Sequence, residues 1–214
     1  MNNKIKILIA DDHAIVREGL KQIVAEEKDM IVSGEAENAL VLMKLLSEEE
    51  WSIVILDINM PGKSGLEALK DIKQTYPHLP VLILSMFSED QYDLRAIKAG
   101  ASGYLKKASA PTELVVAIRK IISGRKYINQ QLAEKLADSF APADKEILHE
   151  KLSDREYQIM CSIAFGKSAE EIAEELSISI NTVYSYRNRI LEKMSMKSNV
   201  ELTQYAVQNK LIEI

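Results

Sequence analysis

The sequence predicts a doubly wound α/β domain with a five-stranded parallel sheet, followed by a small all-α domain of four helices. Three observations carry this. Five short apolar runs alternate with helically spaced segments over the first 125 residues; no comparable run follows Gly124; and everything from Leu152 onward has helical spacing. The domain limits expected are 1–125, a linker with one short helix at 126–151, and 152–214.

The predicted strands are Lys6–Ala10, Met30–Ala36, Ile53–Leu56, Val81–Leu84 and Gly103–Leu105. They are apolar on both faces rather than alternating, as parallel strands covered by helices must be. Between or after them, helical spacing marks Ile15–Val24, Ala39–Leu46, Leu66–Tyr76 and Leu114–Ile122. A short helical stretch, Gln130–Asp138, precedes Ser139-Phe140-Ala141-Pro142, whose proline and small residues suit a linker. Three Ser-x-x-Glu pairs then mark helix starts in the last third: Ser153 with Glu156, Ser168 with Glu171, and Ser198 with Glu201. Gly166 stands where the first of those helices needs a left-handed residue to end. A fourth helix, Ile180–Met194, starts after Ser179.

Composition excludes several classes. With 47% hydrophobic and 28% charged residues among 214, wholesale disorder is out. No uncharged apolar run reaches the roughly 18 residues of a membrane span. Acids arrive by Asp11, too early for a secretory leader, so a cytoplasmic location is expected. One cysteine, Cys161, supports neither an internal disulfide nor a multi-thiolate metal site, and a buried core position suits it best. The net charge of −5 hides a local sorting. Residues 168–181 hold four acids and no base, whereas 182–200 hold Arg187, Arg189, Lys193 and Lys197 against Glu192 alone. A basic contact surface on an acidic domain has this pattern, and so does an ordinary solvated face.

Chemistry concentrates at the strand ends. Asp11 and Asp12 follow strand one, Asp57 follows strand three, Ser85 closes strand four and Lys107 lies just beyond strand five. Ligands of doubly wound sheets bind on this carboxyl-terminal rim. Three converging carboxylates repel unless a cation sits among them, and an all-oxygen donor set favours Mg²⁺. A hydroxyl, an ammonium and a divalent ion around one carboxylate suit an incoming phosphoryl group. The bland alternative is that Asp11 and Asp12 merely cap the next helix. The run from Asp57 to Gly62 also opens like a calcium loop, but Pro61 and Ala68 stand at its fifth and twelfth positions.

Residues 4–123 resemble the receiver domain of two-component response regulators in the segments ILIADDH, DINMPGKSG, VLILS and AGASGYLKK. The resemblance implies the flavodoxin-like fold and a phosphoryl group accepted by Asp57 from a histidine kinase. It also implies Mg²⁺ on Asp12, Asp57 and the Asn59 carbonyl, with Asp11 acting mostly through water. Ser85 and Lys107, rather than Lys106, would hold phosphoryl oxygens, and Tyr104 would be the aromatic switch. One departure is Ala108, where many receivers have a proline with a cis bond; a trans bond is expected here.

In the last third, helix Ala169–Leu176, a turn at Ser177–Ser179 and helix Ile180–Met194 have helix-turn-helix proportions. On the second helix Val183, Tyr186, Ile190 and Met194 share the inward face, while Asn181, Tyr184, Ser185, Asn188, Arg189 and Glu192 share the other. Asn and Arg can pair with base edges, and Lys193 and Lys197 are better placed for phosphates. Residues 152–212 resemble the LuxR-type output domain through LSDREYQIM, EEIAEELSIS, NTVYSYRNRILEKM and KSNVELTQYAVQNKLI. A receiver joined to it makes the NarL/FixJ class of response regulator. The resemblance implies double-stranded DNA as partner, with Asn181, Thr182, Tyr184, Ser185, Asn188, Arg189, Lys193 and Lys197 at the contact. It further implies a homodimer when active, paired through the last helix, about Asn199–Asn209.

Tyrosines at 184 and 186 depart from the commonest pattern, so base preference does not transfer. No enzyme is expected beyond self-phosphorylation and slow dephosphorylation. A phosphatase would need a second acid where Asn59 stands, and a small-molecule sensor would need more aromatics than three Phe and one Trp. A regulator with an inert receiver is the remaining rival, and the complete acid, Ser and Lys set disfavours it.

Overall fold

The computed structural model describes residues 4–86, 89–138, 147–209 and 211–212. The chain forms two compact units, 1–134 and 135–214.

In the first unit, strands β1 (Ile5–Ala10), β2 (Met30–Ala36), β3 (Ile53–Asp57), β4 (Val81–Ser85) and β5 (Gly103–Lys106) form a parallel sheet in the order β2-β1-β3-β4-β5. Ile7, Ile9, Ile53, Ile55, Leu82, Leu84 and Leu105 form one face, packed against helices α1 (Ala14–Ala25) and α5 (Ala110–Ile122) through Leu20, Val24, Leu114, Ala117, Ile118 and Ile121. Residues at the alternate positions point to the other face. Three helices continue the winding: α2 (Ala39–Glu48), α3 (Gly65–Thr75) and α4 (Glu89–Lys98). Alternating helix placement is what leaves the strand carboxyl ends open between them.

The helix between β4 and β5 had no delimited counterpart in the sequence reading. Half of its EDQYDLRAIK is charged, and Tyr92, Asp93 and Ala96 are buried. Conversely, the expected linker does not begin at 126. Tyr127 forms a parallel bridge with Gly103 on the free edge of β5, and Leu132, in α6 (Gln130–Asp138), is buried. Residues 126–134 therefore belong to the first unit, because an edge strand offers unpaired main-chain groups to any segment that can reach it. The Ser139–Pro142 stretch lies outside the described residues.

The second unit holds α7 (Asp154–Ala164), α8 (Ala169–Glu175), α9 (Ile180–Lys193) and α10 (Asn199–Gln208), with α9 and α10 packed on α7 and α8 on α9. Ser153 and Ser168 form full capping boxes with Glu156 and Glu171, and Gly166 takes φ +85° after α7. The third expected box is partial. Ser198 caps the Glu201 N–H, but the Glu201 carboxylate accepts from the Lys197 N–H at 3.0 Å. Cys161 is buried, as expected of a core thiol. No helix among the described residues is long and apolar enough to cross a membrane.

Candidate functional site

Because β1 pairs with β3, their ends deliver Asp11 and Asp57 to adjacent points of the rim, 1% and 2% exposed. Asp12 and His13 join them, with one ligand atom from each of the four within 4.8 Å of the others. Lys107 reaches back from just beyond β5, its Nζ 2.6 Å from Asp11 Oδ2 and 2.9 Å from Asp57 Oδ2. Burial pushes the Asp57 carboxyl up to about 7, with Asp11 adding to the rise, while Lys107 and the Asn59 main-chain N–H pull against it. Burial pulls Lys107 down, but the Asp57 and Asp11 carboxylates outweigh it and hold the ammonium above its usual range. The rim is one charged set in which the lysine stays protonated and Asp57 is near its titration point.

Ser85 is buried at the end of β4, whose register sets Leu84 opposite Asp57. Tyr104 lies in β5, at the edge of the sheet, and is buried, 4% exposed. Lys106 is only partly buried and Lys107 makes the carboxylate pairs. The described peptide bonds are all trans, Lys107–Ala108 included.

Two features of the rim went unread in the sequence. His13 sets Nδ1 2.7 Å from Asp12 and 3.4 Å from Asp11, and its adjacency in ADDH was the available sign. Gly65 donates its N–H to the Ile58 carbonyl at 2.8 Å, and a Cβ there would lie 1.9 Å from the Asp57 carbonyl oxygen. The start of α3, capped by Ser64 with Glu67, thus sits directly against the main chain of Asp57.

A divalent cation fits this donor set. Two buried carboxylates and a partly exposed third converge beside one fixed ammonium, which cannot balance all of their charge. The acidic pocket is consistent with divalent metal binding.

In the second unit Val183, Ile190, Leu191 and Met194 are buried, whereas Asn181, Tyr184, Ser185, Asn188, Arg189, Lys193 and Lys197 are exposed and Thr182 is half-buried. Of the inward face that the spacing predicts, Val183, Ile190 and Met194 are buried, but Tyr186 is only half-buried and Leu191 joins the core instead. Several polar groups are already engaged. Ser179 caps the Thr182 N–H at 3.0 Å, Ser185 donates to the Asn181 carbonyl, and Arg189 lies 5.7 Å from the Tyr186 ring centre. Arg187 donates to Asn199 at 2.6 Å, tying α9 to the start of α10. Lys193, read as a phosphate contact, donates to Glu156 Oε2 at 2.6 Å. On α10, Leu202 and Ala206 are buried and Tyr205 accepts from the His149 N–H, while Val200 and Val207 are exposed.

A Lys-tethered acidic rim on a doubly wound sheet, in one chain with a helix-turn-helix, is the make-up of a two-component response regulator. Residues 7–119 match the response regulator receiver domain and residues 150–206 match the bacterial regulatory proteins of the luxR family. The chain belongs to the NarL/FixJ class of response regulators. It is 37% identical to the response regulator GacA of Pseudomonas aeruginosa over 98% of each chain. It is also 37% identical to the response regulator UvrY of Escherichia coli, covering 97% of this chain and 95% of that one. Among solved structures, RcsB from Salmonella enterica serovar Typhimurium, bound to promoter rprA with the phosphomimetic BeF3−, matches with TM-score 0.65. Its identity is 26%, over 95% of this chain and 98% of RcsB. The chain is thus a transcriptional regulator with a receiver and a LuxR-type DNA-binding domain.

Proposed function

We propose that Asp57 accepts a phosphoryl group from a histidine kinase and that this controls dimerisation and promoter binding by the second unit. The observation that carries the reading is the Lys107 ammonium shared between buried Asp57 and Asp11 at the strand ends. An Asp57 oxygen attacks phosphorus as the P–N bond of the donor phosphohistidine breaks, and the electron pair leaves on the imidazole nitrogen. The product is an acyl phosphate. Lys107, already protonated, favours the ionised attacking carboxylate and then faces the added charge, about −1.5 to −2. Ser85 donates to a phosphoryl oxygen, and Tyr104 follows it as the switch. Asp11, Asp12, Asp57 and the Asn59 carbonyl would hold Mg²⁺, which when bound neutralises charge on the transferring group.

The second unit reads double-stranded DNA with α9 in the major groove, as helix-turn-helix proportions suit, and RcsB bound to promoter rprA supports DNA as the partner. Asn181, Thr182, Tyr184, Ser185, Asn188 and Arg189 face the bases, with Lys193 and Lys197 toward phosphates. The exposed valines of α10 are available for a two-fold pairing, and the solved structure of two RcsB dimers on DNA supports a homodimer as the active form. The protein works in the cytoplasm, and its only chemistry is its own phosphorylation and slow dephosphorylation.

The test is treatment with acetyl phosphate and Mg²⁺. Intact mass should rise by one base-labile phosphoryl group, Asp57→Asn should abolish the gain, and Asp12→Ala should slow it and weaken Mg²⁺ binding. Equal labelling of Asp57→Asn would refute the assignment.

A further inference from the structure

Strand β5 carries Tyr104 and leads directly into Lys107, so it is the strand through which a change at the rim would travel. It is also the edge of the sheet. That edge is not bare. The Tyr127 N–H donates to the Ser102 carbonyl at 2.9 Å, and the Tyr104 N–H donates to the Tyr127 carbonyl at 3.2 Å. The same amide that belongs to the switch residue is therefore bonded to the chain leaving the first unit.

Side chains fix the attachment. Tyr127 donates its hydroxyl to Glu113 of α5 at 2.5 Å, Lys120 stands 5.5 Å from the ring centre, and Leu132 is 2% exposed. Residue 103 must be glycine for this to happen. A Cβ there would lie 2.8 Å from the Tyr127 carbonyl oxygen and 2.9 Å from its Cβ, with Ile121 at 3.1 Å. Yet the attachment is not tightly packed. A cavity of about 130 Å³, large enough for water, lies among Tyr104, Glu113, Tyr127, Ile128, Asn129 and Leu132. A single bridge over a cavity belongs to the low-stability end of a fold, where small shifts in a neighbouring strand are felt first.

We propose that residues 127–132 form a strap on the free edge of β5 that transmits the phosphorylation state of Asp57 to the chain leading into the DNA-binding unit. Any displacement of Tyr104 moves the amide that holds Tyr127, and so alters the strap. The strap is a coupling device rather than part of the phosphoryl chemistry. The two activities it links survive without it, but no longer respond to each other. This inference rests on the reading of Asp57 as phosphoacceptor and of the second unit as a phosphorylation-controlled DNA reader.

The experiment uses the full chain, with BeF3− and Mg²⁺ as the phosphoryl mimic. Three quantities are read: acetyl-phosphate labelling rate, DNA affinity with and without BeF3−, and exchange of the Tyr104 and Tyr127 amides. In the unmodified protein BeF3− should change DNA affinity by at least about five-fold, the low end of allosteric coupling. It should also change protection of both amides. Tyr127→Ala and Gly103→Ala should keep labelling within two-fold of the parent while the BeF3−-dependent change in affinity falls below two-fold. Tyr127→Phe, which keeps the ring but loses the Glu113 bond, should retain part of the response.

Persistence of the full response in both strap variants would overturn the proposal, as would amide protection indifferent to BeF3−. Should one variant fail to fold, the other variant and the exchange data from the unmodified protein still decide. If the unmodified protein labels on Asp57 but its DNA affinity ignores BeF3−, phosphorylation control itself fails, and the strap with it.

Discussion

Gly65→Ala is the sharpest perturbation of the acidic rim that alters none of its polar side chains. The added Cβ would stand 1.9 Å from the Asp57 carbonyl oxygen and 2.8 Å from both the Asp57 carbonyl carbon and Ile58 Cα. Ordinary contact begins near 3.4 Å, so the start of α3 and the end of β3 must separate by about 1.5 Å. Both partners are main chain in a buried setting, and neither can rotate away. Overpacking of this kind costs about 1–3 kcal/mol, and the rigidity of the neighbours places this case at the upper end. For a unit of this size that lowers the midpoint of thermal unfolding by roughly 10 °C. The chemical effect is larger, because the displaced peptide carries the Asp57 side chain. A shift of about 1 Å at a reacting group costs about 100-fold in rate.

Scanning calorimetry of the receiver transition and acetyl-phosphate labelling followed by intact mass measure the two effects. Gly62→Ala is the control. Its site has φ +74° and open space around the missing Cβ, so the cost is conformational only, about 1–2 kcal/mol, with labelling near that of the parent. If Gly65→Ala melts within 1 °C of the parent and labels at the same rate, the steric argument is wrong.

Ionising Asp57 costs the fold stability, because its carboxyl is pushed up to about 7 from an ordinary 3.8. With chelator present, the stabilising effect of Asp57→Asn should therefore grow from pH 4 to pH 7 and level off above; a gap independent of pH in calorimetry would refute this. Glu156 is held below its usual range against the opposing effect of burial, by Lys193 and the Ser153 cap. Glu156→Gln should lower the stability of the second unit by about 1–2 kcal/mol at pH 7, and the difference should shrink as the pH falls below about 4.5. Chemical denaturation at pH 7 and pH 4 measures it. On DNA, Arg189→Ala should relax preference at one position per half-site, a loss of about 1–3 kcal/mol of discrimination. Lys193→Ala should instead weaken all sequences alike and lower the salt slope by less than about one ion, because part of its charge is already met by Glu156. Selection from a randomised half-site library at two salt concentrations separates these outcomes, and uniform loss in both variants would make Arg189 a phosphate anchor.

Local physics made much of this protein legible before folding. Buried parallel strands need apolar residues on both faces, so runs such as IVIL and VLIL declare themselves in composition. Capping boxes act across three residues, which is why Ser153 and Ser168 were readable. Acids at strand ends could be placed on one rim because strand ends of a parallel sheet share a side. Only the tertiary structure decided the rest. The helix Glu89–Lys98 is half charged, so its apolar period is weak in the sequence, and Tyr92, Asp93 and Ala96 become buried only when it packs. Lys193 is paired with Glu156, 37 residues away, and Tyr127 sits on Gly103 rather than in a free linker. Glu201 turned from the Ser198 N–H to that of Lys197. In each case the choice lies between partners far apart in sequence or nearly equal in energy. Local spacing records neither; which one forms depends on the distances set when the strands and helices pack.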